Sequence, residues 1–244
     1  MTTILGSADW GGPARSLLAS LRELEPSLPA FVHMRHTERP AYTPEASDRL
    51  ASTPGGREAS VEFGRGLPAD RKYRLSSTRV KRAVETASCI REGLESRGVQ
   101  AVDSGLLSCR ISVDSEALER YLEENLRRSR GEAEAAVNFT NLWCAGLTPP
   151  TVTRASDDFA REIADRTRTS LESATPDTVD VYVSHDTWVG CLLWHWFGVP
   201  LPADGIRFLD GFLVQPSGDA MTLWLRGSRR RVEYPHWWAA APSS

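Results

Sequence analysis

Apolar residues recur along this chain in two rhythms, one helical and one extended. Leu17, Leu18, Leu21 and Leu24 share a face behind Pro13, which suits a first helical position, so a helix is predicted from Pro13 to Glu25. Ala30-Phe31-Val32-His33-Met34 predicts a short buried strand ending at Arg35. Thr53-Pro54 marks a helix start, a capping residue followed by proline in the first turn. Tyr73-Arg74-Leu75-Ser76 predicts a second strand. Ser77 or Thr78 is expected to cap the helix behind it and Gly98 to end it, with Val80, Ala83, Val84, Ala87, Ile90 and Leu94 as the buried stripe.

Residues 104–174 have a different texture. Amphipathic helices are predicted near 115–129, 131–145 and 155–172, with Pro149-Pro150 as a break. Val179-Asp180-Val181-Tyr182-Val183 then alternates as a strand and ends at Ser184. Val189, Leu192, Leu193 and Trp196 form one face of the next helix, which Gly198-Val199-Pro200 stops. A β-hairpin is predicted over 206–234, turning at Pro216-Ser217-Gly218-Asp219.

Strands alternating with helices predict an α/β fold, a three-layer α/β/α sandwich with a mostly parallel central sheet. The chain is read as a single domain over 1–244, with residues 104–174 as a helical insertion, or cap, that covers the pocket and selects the substrate. In parallel sheets, ligands bind beyond the carboxyl ends of the strands. Arg35-His36, Ser77-Thr78 and Ser184-His185-Asp186 each follow a predicted strand, so three polar clusters distant in sequence are expected at one edge of the sheet.

Composition narrows the chemistry by exclusion. The chain has 244 residues and a formal net charge of −3, which provides no global field for nucleic acid or an acidic membrane surface. An anion site must therefore be built locally. Cys89, Cys109, Cys144 and Cys191 make no CxxC pair and read as reduced thiols. No stretch has the roughly 18 apolar residues that span a membrane, and Met1 to Pro29 shows no basic start followed by an apolar run. The expectation is a soluble cytoplasmic protein.

A phosphoryl group needs fixed donors and positive charge around its oxygens, and arginine supplies both in a planar fork. Arg35 and Arg39 flank His36, and Arg82 falls in the first turn of the helix after the second strand. A neutral imidazole amid them can attack phosphorus directly. His33 and His36 do not suit a shared metal, because residues three apart on a strand point to opposite faces. No zinc-type spacing is found, and neither a metal nor a cofactor is implied.

Phe31-Val32-His33-Met34-Arg35-His36-Thr37-Glu38-Arg39-Pro40 resembles the strand-plus-RHGxR signature of the histidine phosphatase superfamily. Ser77 to Ala87 resembles its second segment, Leu50 to Ala59 its usual helix start, and Val183-Ser184-His185-Asp186-Thr187 its late HD signature. The resemblance implies that His36 becomes a transient phosphohistidine, while Arg35, Arg39, Arg82 and His185 hold the phosphoryl oxygens. It implies that Asp186 protonates the leaving oxygen and then activates water, as in the acid-phosphatase branch. The other branch takes its acid from a glutamate after the third strand, and Leu106-Leu107-Ser108-Cys109-Arg110 offers no carboxylate there.

The reading is a metal-independent phosphatase acting on a small phosphorylated substrate, with no nucleic-acid or membrane partner. Thr37 replaces the signature glycine and is placed in the substrate site, where its β-branch restricts the backbone. Two alternatives accompany hydrolysis: a phosphomutase of the same superfamily, and a phosphate-binding module disabled by Thr37. Trp188 either lines the pocket or is core. His195 reads as a packed helix residue, Arg229-Arg230-Arg231 as a solvated turn, and Trp237-Trp238 as a packed tail or subunit contact.

Overall fold

The computed structural model describes residues 3–42, 49–235 and 238. Its elements run α1 (Ile4–Ser7), α2 (Gly11–Leu21), β1 (Ala30–Arg35), α3 (Pro54–Gly66), β2 (Lys72–Thr78), α4 (Lys81–Glu95) and β3 (Ala101–Leu107). They continue as α5 (Ser115–Arg128), α6 (Glu132–Cys144), α7 (Ser156–Glu172), β4 (Thr178–Ser184), α8 (Asp186–Phe197), β5 (Gly211–Ser217), β6 (Ala220–Leu225) and β7 (Ser228–Glu233). The chain divides into two compact units. No helix among the described residues is long and apolar enough to cross a membrane.

The first unit comprises Met1–Ser108, Thr169–His185 and Arg207–Glu233 and holds the whole sheet. Strand order is β3-β2-β4-β1-β5-β6-β7. The first four are mutually parallel and the last three run antiparallel as a meander, which is the α/β architecture expected. The meander contains the anticipated hairpin, but Arg229-Arg230-Arg231 extends it as a third strand and is not a turn. With no apolar alternation it gave no strand signal, and charge is what an open sheet edge carries to resist further pairing.

Strand parity decides what each face of the sheet meets. Val32 and Met34, Leu75, Val179, Val181, Val183 and Leu213 point into one core with α2 and α4, which pack on the sheet. Helices α3 and α4 approach backbone to backbone at Gly64 and Gly93. A Cβ on Gly64 would lie 2.2 Å from Ile90 O, and one on Gly93 2.2 Å from Val61 O, so only glycine allows this approach.

The opposite face carries Phe31, His33, Arg74, Asp180, Tyr182 and Phe212. Its central positions are buried as well, as a sheet covered on both sides requires. Val179–Val183 alternates in sequence, and every residue of β4 is buried. Asp180 tolerates this because Arg74 grips it with two bonds, Nε to Oδ1 at 2.6 Å and Nη2 to Oδ2 at 2.8 Å. Nη2 of Arg74 also donates to Ser170 O at the end of α7.

Helix α4 begins later than expected. Its N-cap is Val80, with no side-chain cap, and Ser77 and Thr78 belong to β2. Its buried face is rotated too: Val84 is 41% exposed, while Arg82 and Thr86 are buried. Two polar residues thus occupy inward positions that hydrophobic periodicity assigned to their apolar neighbours. Helix α2 ends at Leu21, short of the predicted Glu25, although Leu24 remains buried.

The second unit comprises Cys109–Arg168, Asp186–Ile206 and Tyr234–Ser244. Its core is a chain of rings from Phe139 through Trp143 and Phe159 to Trp188, each within 6.3 Å of the next. The indole N–H of Trp143 donates to Arg154 O, and that of Trp196 to Ala160 O. Trp238 packs edge-on against Trp196 at 5.1 Å, as the packed-tail reading expects, and Trp237 lies outside the described residues.

Candidate active site

Parallel pairing brings the carboxyl ends of β1, β2 and β4 to the same edge. Arg35 is in register with Ser184, and Ser77 with Val183. The residues that follow, His36 and His185, and Thr78 at the end of β2, therefore converge through the hydrogen-bond ladder alone. The His36 N–H donates to Ser184 O at 2.9 Å, continuing the β1–β4 ladder past the end of the strand.

The His36 ring is 2% exposed and held at both nitrogens. Nδ1 lies 2.7 Å from Thr37 O, and Arg82 Nε donates to Nε2 at 2.9 Å. A guanidinium can only donate, so Nε2 must present its lone pair and the proton sits on Nδ1, where it donates to Thr37 O. Burial, then the charges of Arg82, Arg35 and His185, hold the ring well below its ordinary pKa, against an upward pull from Thr37 O. The imidazole is neutral, with the lone pair of Nε2 facing an arginine.

Three further residues expected at the site lie around this ring. His185 is edge-on to His36 with centroids 5.5 Å apart, and its Nε2 lies 3.1 Å from Thr78 Oγ1. Arg35 stacks its guanidinium over Phe208, 4.4 Å from the ring centroid, and Phe208 in turn lies 6.0 Å from His36. Arg82 is 9% exposed in the first turn of α4. Arg79 and Lys81, close to Arg82 in sequence, are exposed.

Thr37 serves the loop. Its hydroxyl donates to Gly56 O at 2.8 Å and its N–H to Thr86 Oγ1 at 3.0 Å, while Thr86 Oγ1 donates to Arg82 O at 2.6 Å. Thr37 thus links α3, α4 and the carbonyl that fixes the His36 tautomer. The described non-glycine residues with positive φ are Leu209 and Arg226, so Thr37 needs no glycine-like backbone here. Glu38 clamps the same loop, accepting from Trp10 Nε1 at 3.2 Å and Thr53 Oγ1 at 2.7 Å.

Arg39 lies on the following loop, with Nη1 donating to Pro40 O at 2.8 Å and its guanidinium 5.5 Å from the Tyr42 ring. Asp186 opens α8 directly after His185, and its Oδ1 accepts from the Thr187 N–H at 2.9 Å. Trp188 is 6% exposed and edge-on to Phe159 at 4.8 Å, which places it in the ring core of the second unit.

Sequence reasoning missed the turn at 207–211. Asp210 is fully buried and its carboxylate accepts from the N–H groups of Arg207 and Gly211 and from Arg226, whose Nη2 is 2.7 Å away. Burial raises the Asp210 pKa, and Arg226 and the two N–H groups oppose the rise. The turn so formed supplies Phe208 and accepts Arg35 N–H at Asp210 O, 2.8 Å. Leu209 holds φ +53° with its N–H directed to His36 O at 3.4 Å, a strained backbone beside the candidate nucleophile. No local signal marks Asp210 and Arg226 as partners. Thr86 lies within the Ser77–Ala87 segment singled out above, which did not reveal its role.

No protein-family model matches the chain, and no curated protein matches it in sequence. Among solved structures it is similar to phosphoglycerate mutase from Bacillus anthracis str. Sterne, at 12% identity and TM-score 0.49, over 88% of this chain and 98% of that one. It is similar to mycobacterial hydrolase 1 at 17% identity and TM-score 0.48, covering 87% and 99%. A third is phosphoserine phosphatase from Entamoeba histolytica, at 13% identity and TM-score 0.42, covering 86% and 98%.

Proposed function

We propose that this chain is a phosphomonoesterase of the histidine phosphatase type, hydrolysing a small phosphorylated metabolite through a phosphohistidine on His36. One observation carries the reading: a buried, neutral imidazole whose Nε2 lone pair faces Arg82 while its Nδ1 proton is held by Thr37 O. Attack by Nε2 on phosphorus forms the N–P bond, and the bond to the leaving oxygen breaks with its electron pair. The ring becomes cationic as it does so, and the Thr37 carbonyl on Nδ1–H stabilises that charge.

Arg82 occupies the position that the incoming phosphoryl group must take. On binding, its guanidinium exchanges the imidazole for phosphoryl oxygens, with Arg35 and His185 beside it. Arg39 joins them from the loop at Tyr42. Arginines thus supply the positive charge, and no metal is assigned to the reaction. Asp186, the residue after His185, gives its proton to the leaving oxygen. In the second step its carboxylate takes a proton from water as water attacks phosphorus. The N–P bond then breaks, and its electron pair returns to Nε2.

The test is a screen of phosphoesters in the presence of a chelator, with His36→Ala alongside. Phosphate release by the wild type and none above background by the variant is expected. Equal, slow release by both would overturn the reading.

A further inference from the structure

The second unit contains a cluster that takes no part in this chemistry. Cys144 ends α6, whereas Cys191 and His195 stand four residues apart on α8 and so share a face. The two sulfurs and a His195 ring nitrogen all lie within 4.8 Å of one another. Both cysteines are buried and His195 is half-buried. We propose that Cys144, Cys191 and His195 form a binding site for one thiophilic divalent cation, and that Zn2+ is the ion its donors fit.

The geometry supports an ion at the centre of the three. Zinc sits about 2.3 Å from sulfur and about 2.0–2.1 Å from nitrogen, which puts tetrahedral ligand atoms roughly 3.5–3.8 Å apart. Donors already within 4.8 Å reach that spacing through small side-chain rotations. The chemistry agrees. Two thiolates cancel the charge of a divalent cation, so the filled site is neutral where it is buried, and imidazole completes a soft set that disfavours Mg2+ and Ca2+. Binding breaks two S–H bonds, forms two metal–sulfur bonds and releases two protons.

The surroundings hold these donors in place. His195 Nε2 is 2.9 Å from Ser156 Oγ, and Cys191 Sγ lies 3.5 Å from Ser156 O. Ser156 is the first residue of α7, so a bound ion would tie the end of α6 to α8, on the side where α7 begins. Three protein ligands leave a fourth position for water, reached past the half-buried imidazole. Sequence spacing concealed the site because Cys144 is remote and Cys191-x-x-x-His195 alone resembles any helix face.

Reduced, metal-stripped protein titrated with Co2+ tests this without reference to phosphate chemistry. We expect one Co2+ per chain with thiolate-to-cobalt absorption in the near ultraviolet, displaced by one equivalent of Zn2+. Cys144→Ser and Cys191→Ser should each abolish the band. His195→Ala, at a half-exposed position, should keep the fold and weaken binding by about tenfold or more. Cys89→Ser should change nothing. A wild type with no thiolate–cobalt band overturns the proposal, as does a band that survives both cysteine variants. A Cys144–Cys191 disulfide that forms without metal uptake overturns it equally. If the cysteine variants do not fold, unchanged affinity in His195→Ala is decisive against the site.

Discussion

The Nε–H of Arg82 donates to Nε2 of His36 at 2.9 Å, so the candidate nucleophile is held by the group proposed to bind its substrate. The arginine's charge is also the second cause, after burial, of the depressed imidazole pKa. Arg82→Gln should therefore raise the His36 pKa toward its ordinary value, as followed by histidine nitrogen NMR across pH. The same variant should cut kcat by about 10² to 10³, the usual loss of one preorganised donor to a transition-state anion. A variant that loses activity with an unchanged imidazole titration would separate the two roles and remove the electrostatic one.

Thr37 stands where the resembling signature has glycine, and its two hydrogen bonds explain how it is accommodated. The hydroxyl bond to Gly56 O is the one a substitution can remove cleanly. Thr37→Val keeps the shape and should cost about 1 kcal/mol, because Gly56 O retains Ser60 Oγ as a donor at 2.9 Å. Thr37→Ser should be close to wild type. Urea midpoints measure both. If valine is neutral and serine is not, the methyl packs and the hydroxyl is idle.

How far the sequence spoke depended on the range of the interaction. Helices α5, α6 and α7 lie within one residue of the predicted bounds, because their ends carry local punctuation such as the Asp114 cap, which accepts from Glu116 N–H and Ala117 N–H, and the Pro149-Pro150 break. Strand β1 announced itself as an apolar run and β2 and β4 as alternating segments, and their common edge followed from parallel pairing. What stayed hidden is long-range. Asp180 is buried only because Arg74 on a neighbouring strand pairs with it. The Asp210–Arg226 pair that shapes the turn beside His36 joins residues 16 apart with no motif between them. Arg82 was found through its position in a motif, while the periodicity around it named Val84 as buried.

His33 makes an acid-stability prediction independent of function. It stacks on Tyr182 at 4.6 Å and an interplanar angle of 14°, and burial lowers its pKa to about 3 from an ordinary 6.5. Below pH 6.5 the unfolded chain takes up a proton that the native state refuses. The stability contributed here is complete above pH 6.5 and is lost as pH falls from there toward 3. The slope approaches about 1.4 kcal/mol per pH unit. His36, also depressed, adds loss in the same direction. His33→Phe should remove one of the two slopes, so the drop in unfolding free energy between pH 6.5 and 5 should shrink by about 2 kcal/mol. Parallel stability curves for variant and wild type would show that His33 does not titrate on unfolding.

Asp186 is best examined through the leaving group. An alkoxide leaves phosphorus at a practical rate only if it is protonated as the bond breaks, whereas p-nitrophenolate is stable enough to depart unaided. Asp186→Asn keeps the size of the side chain and an oxygen to accept from the Thr187 N–H, so the start of α8 should stand. It removes the carboxyl group proposed to give a proton to the leaving oxygen and to take one from water. Hydrolysis of alkyl phosphates should fall by about 10² to 10⁴ while p-nitrophenyl phosphate loses far less in its first step. Phosphoenzyme should then accumulate from the activated ester, because the base proposed to activate water is missing. Rapid quench would show this as a burst followed by slow turnover. Equal losses on both substrates, with no burst, would take Asp186 out of proton transfer and leave it as the residue that starts the helix.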